Sequence, residues 1–136
     1  AYAMSWLGNL YKWGGNSPRG IDCSGFVQEI LAAAGEDPQG DQTAQGLYDH
    51  FIANGGKLKV MGVGALCFYG KSATQITHVT WMVDDYLTVG ANGGGSKTLT
   101  EADAINQAAY VKLRPFDYRK DLVAIIMPDY SAYLRE

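Results

Sequence analysis

The apolar positions change period partway along the chain. In the first part they recur every three or four residues, as on one side of a helix. Beyond residue 57 they gather into short runs rich in Val, Leu, Thr and aromatics, as in strands. Residues 2–10 read as one or two helical turns. Gly14, Gly15, Asn16, Ser17, Pro18 and Gly20 make a loop of turn-forming residues. Phe26, Val27, Ile30, Leu31 and Ala34 then follow helical spacing, with Asp22 placed to cap the start and Gly35 to stop the end. A polar loop over 37–41 precedes a second helix from about 42 to 53, whose apolar side is Leu47, Tyr48, Phe51 and Ile52; Asn54-Gly55-Gly56 ends it. Strands are predicted over 58–61, 65–69, 78–83, 86–91, 110–114 and 122–127, with Asp84-Asp85 as a tight hairpin turn. Gly93-Gly94-Gly95-Ser96 reads as a loop, and Thr100-Glu101-Ala102-Asp103 resembles a capping box opening a brief helix to about residue 108. Helices come first and strands second, without βαβ alternation, so the expected class is α+β with a mostly antiparallel sheet.

Composition narrows the functional classes. At 136 residues, 47% apolar and 18% charged, the chain can bury an ordinary core, and we read 1–136 as a single domain. The net charge of −3, with no Lys or Arg cluster, points away from nucleic acid. No apolar run approaches the roughly 20 residues of a membrane span. Cys23 and Cys67 fit no metal-binding or disulfide framework, and with two His a zinc site is not expected. Cys67 sits in an apolar strand pattern, as a buried free thiol would; a Cys23–Cys67 disulfide rests on count alone. The sequence does not begin with Met and opens inside a helical pattern, which reads as a domain excised or processed from a longer chain.

One cysteine has a different setting. Cys23 lies at the predicted start of the first helix, after a glycine-rich loop, and His78 follows 55 residues later at the head of a strand run. Partial positive charge and backbone N–H groups at a helix start favour a thiolate and can face an oxyanion. Asp22 beside the thiol opposes this, so a histidine partner must outweigh it. An imidazole at His78 would take the thiol proton and return it to a leaving amine. Strand alternation sets His78, Thr80 and Met82 on one face and Val79, Trp81 and Val83 on the other, and we expect the His78 face to look toward the helix carrying Cys23. A third polar group usually orients such a base. Asn92, at the end of the following strand, is the candidate, with Asp84 and Asp85 as rivals in the turn. His50, near the end of the second helix among polar residues, reads as a surface residue. The plainer alternatives are a small buried Cys23 and a structural His78.

The run Tyr11-x-Trp13-Gly-Gly-x-x-Pro-x-Gly-x-Asp22-Cys23-Ser24-Gly-Phe-Val-Gln28 resembles the signature of the NlpC superfamily of papain-like cell-wall cysteine peptidases. The spacing to Thr77-His78-Val79 and the run Gly64-Ala-Leu-Cys-Phe-Tyr69 are similar to the same family. The resemblance implies a papain-like NlpC fold and a peptidoglycan endopeptidase that cuts a stem-peptide amide, at the bond between D-γ-glutamyl and the diamino acid. It implies Cys23 as nucleophile, His78 as base and Tyr11 beside the oxyanion. It also implies Asp22 and Ser24 as groups that hold the free amine of the stem, with Trp13 packing the loop or walling the cleft. No cofactor is implied, and the partners are bacterial stem peptides met at the cell wall; a monomer is expected. The family's third residue is commonly a histidine, in a register that falls here on Gly90. Asn92 lies two residues further on the same face and can accept the imidazole N–H through its carbonyl oxygen. Ala65 stands where an acidic residue is common. The later segments from Glu101 to Gln107, Tyr110 to Pro115 and Tyr118 to Leu122 resemble phage- or prophage-encoded members, which would imply a lysin. Two other classes remain: a module that binds cell-wall peptide without turnover, and an acyltransferase on the same Cys/His pair.

Overall fold

The computed structural model describes residues 16–17, 20–33, 35, 42–92 and 110–130. The helical turns expected over 2–10 and the brief helix expected after Thr100 lie outside the described residues. Two short strands, β1 (Asn16–Ser17) and β2 (Gly20–Ile21), pair antiparallel across the stretch read from sequence as loop alone. Helix α1 (Cys23–Ala33) follows at once. Asp22 caps it as expected: its Oδ1 accepts the Gly25 N–H at 2.7 Å, and its carbonyl accepts the Phe26 N–H at 2.9 Å. Gly35 ends the helix region with φ of 75°, a left-handed turn that glycine adopts without penalty. Helix α2 (Ala44–Ala53) starts two residues later than expected because Thr43 is its cap, accepting the Gly46 N–H at 3.0 Å.

Among the described residues, six strands form one antiparallel sheet: β3 (Lys57–Leu58), β4 (Leu66–Gly70), β5 (Ile76–Met82), β6 (Leu87–Asn92), β7 (Tyr110–Pro115) and β8 (Leu122–Met127). Their spatial order is β3-β8-β4-β5-β6-β7. The architecture is the α+β class read from the sequence, with helix α1 packed on an antiparallel sheet. Both helices lie on one face, where Phe26, Val27, Ile30 and Leu31 of α1 and Leu47 and Phe51 of α2 meet Leu66, Phe68, Val79, Trp81 and Val89. The opposite face carries Ala65, Cys67, Tyr69 and Met82 beneath Phe116, Tyr118, Leu122 and Ile125. Cys67 is fully buried, and both cysteines are free thiols, as the strand pattern suggested.

A bulge fixes which side chain goes where on β5. Tyr69 pairs with His78, but Gly70 pairs with Ile76, so Thr77 is an extra residue and points to solvent. The two chains come so close there that a Cβ on Gly70 would sit 2.1 Å from the Gln75 carbonyl oxygen. Gly70→Ala is therefore expected to cost about 1–3 kcal/mol, read as a lower urea midpoint. An unchanged midpoint would mean that the bulge yields freely.

Candidate active site

Among the described residues, three segments far apart in sequence contribute to the candidate site. The first is the head of α1. With Asp22 as cap, Cys23 and Ser24 are the first two helical residues, whose N–H groups precede the intrahelical ladder. Ser24 Oγ donates to Asp22 Oδ1 at 3.3 Å, which ties its hydroxyl to the cap. Cys23 is 8% exposed and Ser24 6%.

The second segment is β5. It pairs with β6 only at Trp81↔Val89 and Met82↔Thr88 among the described residues, so the two strands part before reaching His78. The head of α1 reaches this opened edge, where the Val79 backbone faces the Cys23 sulfur. Burial, and then the Asp22 charge, push the Cys23 thiol up to about 11, while the backbone groups of Val79, Ser24 and Cys23 itself pull the other way. With the thiol so raised, the helix start alone does not favour a thiolate at neutral pH.

His78 is 6% exposed. The expectation that its face looks toward the helices needs correction. Val79 and Trp81 meet the helices, while His78 lies on the opposite face beside Tyr69, with ring centroids 5.5 Å apart. Strand parity was read correctly, but the choice of face was not. The head of α1 meets β5 at its open edge, beside Val79, rather than across the sheet.

The third segment is the turn between β7 and β8. The Tyr118 hydroxyl lies 2.9 Å from His78 Nε2. Burial pushes the Tyr118 phenol up to about 12, so it is protonated at neutral pH; the Arg119 guanidinium beside it opposes that rise, and the Cys23 charge adds to it. Arg119 is held by Asp121 through two bonds, Nε to Oδ1 at 2.8 Å and Nη2 to Oδ2 at 2.6 Å. Its guanidinium also stands 5.4 Å above the Tyr69 ring. Tyr69 donates its own hydroxyl to the Phe116 carbonyl at 2.6 Å. Arg119 holds the Asp121 carboxyl below the usual range, and a charge on His78 adds to this, so Asp121 is within electrostatic reach of the imidazole.

The sequence candidates divide accordingly. Asp22, Cys23 and Ser24 lie together at the head of α1, and Cys23 reaches the backbone of Val79, the residue next to His78. Tyr11 and Trp13 lie outside the described residues. Asn92 closes β6 opposite Tyr110, and its side chain is outside what is described. Asp84 sits at the other end of β5 from His78, accepting the Tyr86 and Leu87 N–H groups, and Asp85 is exposed in the same turn. His50 is half-buried, its ring edge-on to Phe51. Tyr118 and Tyr69 were not singled out as site residues. Aromatics in a turn and on a buried strand carry no periodic signal, and only the resemblance of the Tyr118 segment drew notice to it. Among the described residues, no group of three or more His, Cys, Asp or Glu could hold a metal ion, and no helix is long and apolar enough to cross a membrane.

The buried acids set the alkaline limit of stability. Cys23, Cys67 and Tyr118 are pushed up to about 11, 12 and 12, with burial the leading cause in each, and Tyr69 is raised further. The unfolded chain loses these protons first as pH rises. Their contribution to stability is thus fully present below about pH 9 and is lost between about pH 9 and 12. The urea midpoint is expected to fall between pH 8 and pH 10; a constant or rising midpoint would contradict burial of the protonated thiols.

Residues 8–114 match the NlpC/P60 family. Over 35 residues the chain is 49% identical to "Probable endopeptidase p60" of Listeria innocua, a stretch covering 26% of this chain and 8% of that protein. Its fold is similar to the peptidoglycan hydrolase RipB of Mycobacterium tuberculosis, with a TM-score of 0.65 and 23% identity over 92% of this chain and 59% of that one. It is also similar to RipD of Mycobacterium tuberculosis, described as a non-catalytic NlpC/p60 domain protein adapted to peptidoglycan binding. There the TM-score is 0.62 and the identity 16%, over 93% of this chain and 91% of that one.

Proposed function

Because the chain belongs to the NlpC/P60 family, we propose that it is a cysteine peptidase that hydrolyses an amide bond in the stem peptide of bacterial peptidoglycan. The observation that carries this reading is the placement of Cys23 at the head of α1, on the open edge of the strand that bears His78. In this reading His78 takes the Cys23 proton and the thiolate attacks the scissile carbonyl. The N–H groups at the start of α1 receive the oxyanion, with the Tyr11 hydroxyl as a second donor. Collapse breaks the C–N bond as His78 protonates the leaving amine, giving a thioester. Water, deprotonated by His78, then releases the acid and restores the thiol. The Asp22 carboxylate and the Ser24 hydroxyl stand beside the nucleophile, where they can hold the ammonium of a stem that begins with a free amine, with Trp13 as the cleft wall. The bond so presented is the one between D-γ-glutamyl and the diamino acid. The reaction calls on no cofactor and no second subunit. We further propose one NlpC-type domain over 1–136, part of a longer chain that meets its substrate at the cell wall, including in a phage-borne setting.

Incubation with purified muropeptides that differ in diamino acid, followed by mass spectrometry, tests the reading. New fragments name the bond. Stoichiometric binding without fragments from any stem would favour the second reading, a peptidoglycan-binding module. The described role of RipD supports that alternative.

A further inference from the structure

His78 is buried, so when it carries a proton on both nitrogens each N–H needs an acceptor inside the protein. With Nε2 committed to Tyr118 at 2.9 Å, proton exchange with Cys23 falls to Nδ1. We propose that Tyr118, packed edge-on against Tyr69, is the positioning residue that orients the His78 imidazole toward Cys23, the role that sequence reasoning gave to Asn92. The inference rests on the reading of Cys23 and His78 as nucleophile and base.

Three features of the turn support it. First, a phenol both donates and accepts, so its bond to Nε2 persists whether the imidazole is neutral or charged. When the Cys23 S–H bond breaks and the proton moves to Nδ1, the Nε2–H of the resulting imidazolium donates to the Tyr118 oxygen. Second, the ring is held from two sides. Tyr69 packs beside it and is fixed by its own bond to the Phe116 carbonyl, one residue past β7, and Tyr118 stands edge-on to the Tyr69 ring at 5.6 Å. Third, the cation next to Tyr118 is largely neutralised. Asp121 grips Arg119 by both carboxylate oxygens, which offsets the guanidinium charge near His78.

Tyr118→Phe keeps the ring and its packing and removes only the hydroxyl. Two readouts apply at pH 7.5: the rate of Cys23 alkylation by iodoacetamide, with adducts mapped by mass spectrometry, and steady-state kcat and KM on a muropeptide. Cys67, fully buried, reports on the fold in the same digest. Loss of orientation slows Cys23 alkylation, about tenfold, and lowers kcat by about 10–100-fold with KM within about twofold. Asp121→Asn, on a more exposed side chain, is expected to slow Cys23 in the same direction by about threefold. Wild-type alkylation and kcat in Tyr118→Phe would overturn the proposal, as would faster alkylation of both cysteines, which reports loosened packing. If the wild-type protein cleaves no muropeptide while Tyr118→Phe still slows Cys23, the hydrolase reading fails and the positioning role stands.

Discussion

Cys23→Ala is expected to lower muropeptide cleavage by about 10⁴-fold or more while leaving the fold in place. The size follows from the chemistry: without sulfur there is no thioester, and the remaining oxyanion donors and binding groups stabilise a transition state that no longer has its attacking atom. Stability should change by only about 1 kcal/mol, because a single buried sulfur is lost and the cap made by Asp22 is untouched. The measurement is product formation by mass spectrometry beside a thermal melt. Cleavage at the wild-type rate in a folded Cys23→Ala protein would remove the nucleophile from the mechanism altogether.

Phe26→Ala is expected to destabilise the protein by about 3–5 kcal/mol. Phe26 is fully buried, one helical turn after Cys23, and sits in the cluster that joins α1 to the sheet. Removing its ring leaves a void in the layer that holds the helix head against the open edge of β5. Against a total of about 5–15 kcal/mol for a domain, the loss is a large fraction. Urea denaturation measures it. A change below about 1 kcal/mol would mean that the helix and sheet close over the void. Because the same contact sets the position of Cys23, activity should fall faster than the folded fraction.

The sequence made some parts of this molecule legible and hid others, for physical reasons. Helix α1 was plain because Asp22, Gly35 and the spacing of Phe26, Val27, Ile30 and Leu31 all agree, and every one of those four side chains is buried. The strands β4 to β8 were visible as apolar runs for a similar reason. Their ends were less so: the turn after β5 runs from Val83 to Tyr86, because Asp84 takes two backbone N–H groups and widens what was read as a two-residue hairpin. The ribbon of β1 and β2 was invisible because each strand is only two residues long. At the site, Cys23, Asp22 and His78 announce themselves through residue type and local order. Tyr118 does not, since its role depends on where the turn between β7 and β8 comes to rest. Nor could alternation alone say which face of β5 the helices cover, because both faces are apolar enough to be buried.

The place of the last strand has a consequence for how the protein comes into being. Among the described residues β8 is last in chain order, yet it lies inside the sheet, between β3 and β4. During synthesis β4 therefore waits with one edge unpaired until residues 122–127 have emerged, and the turn that carries Tyr118 to His78 arrives just ahead of them. Such long-range closure is slow relative to helix formation. Until β8 is inserted, this part of the nascent chain would hold its helices formed and the turn of Tyr118 unplaced, so ribosome-bound intermediates should resist neither proteolysis nor aggregation before that step.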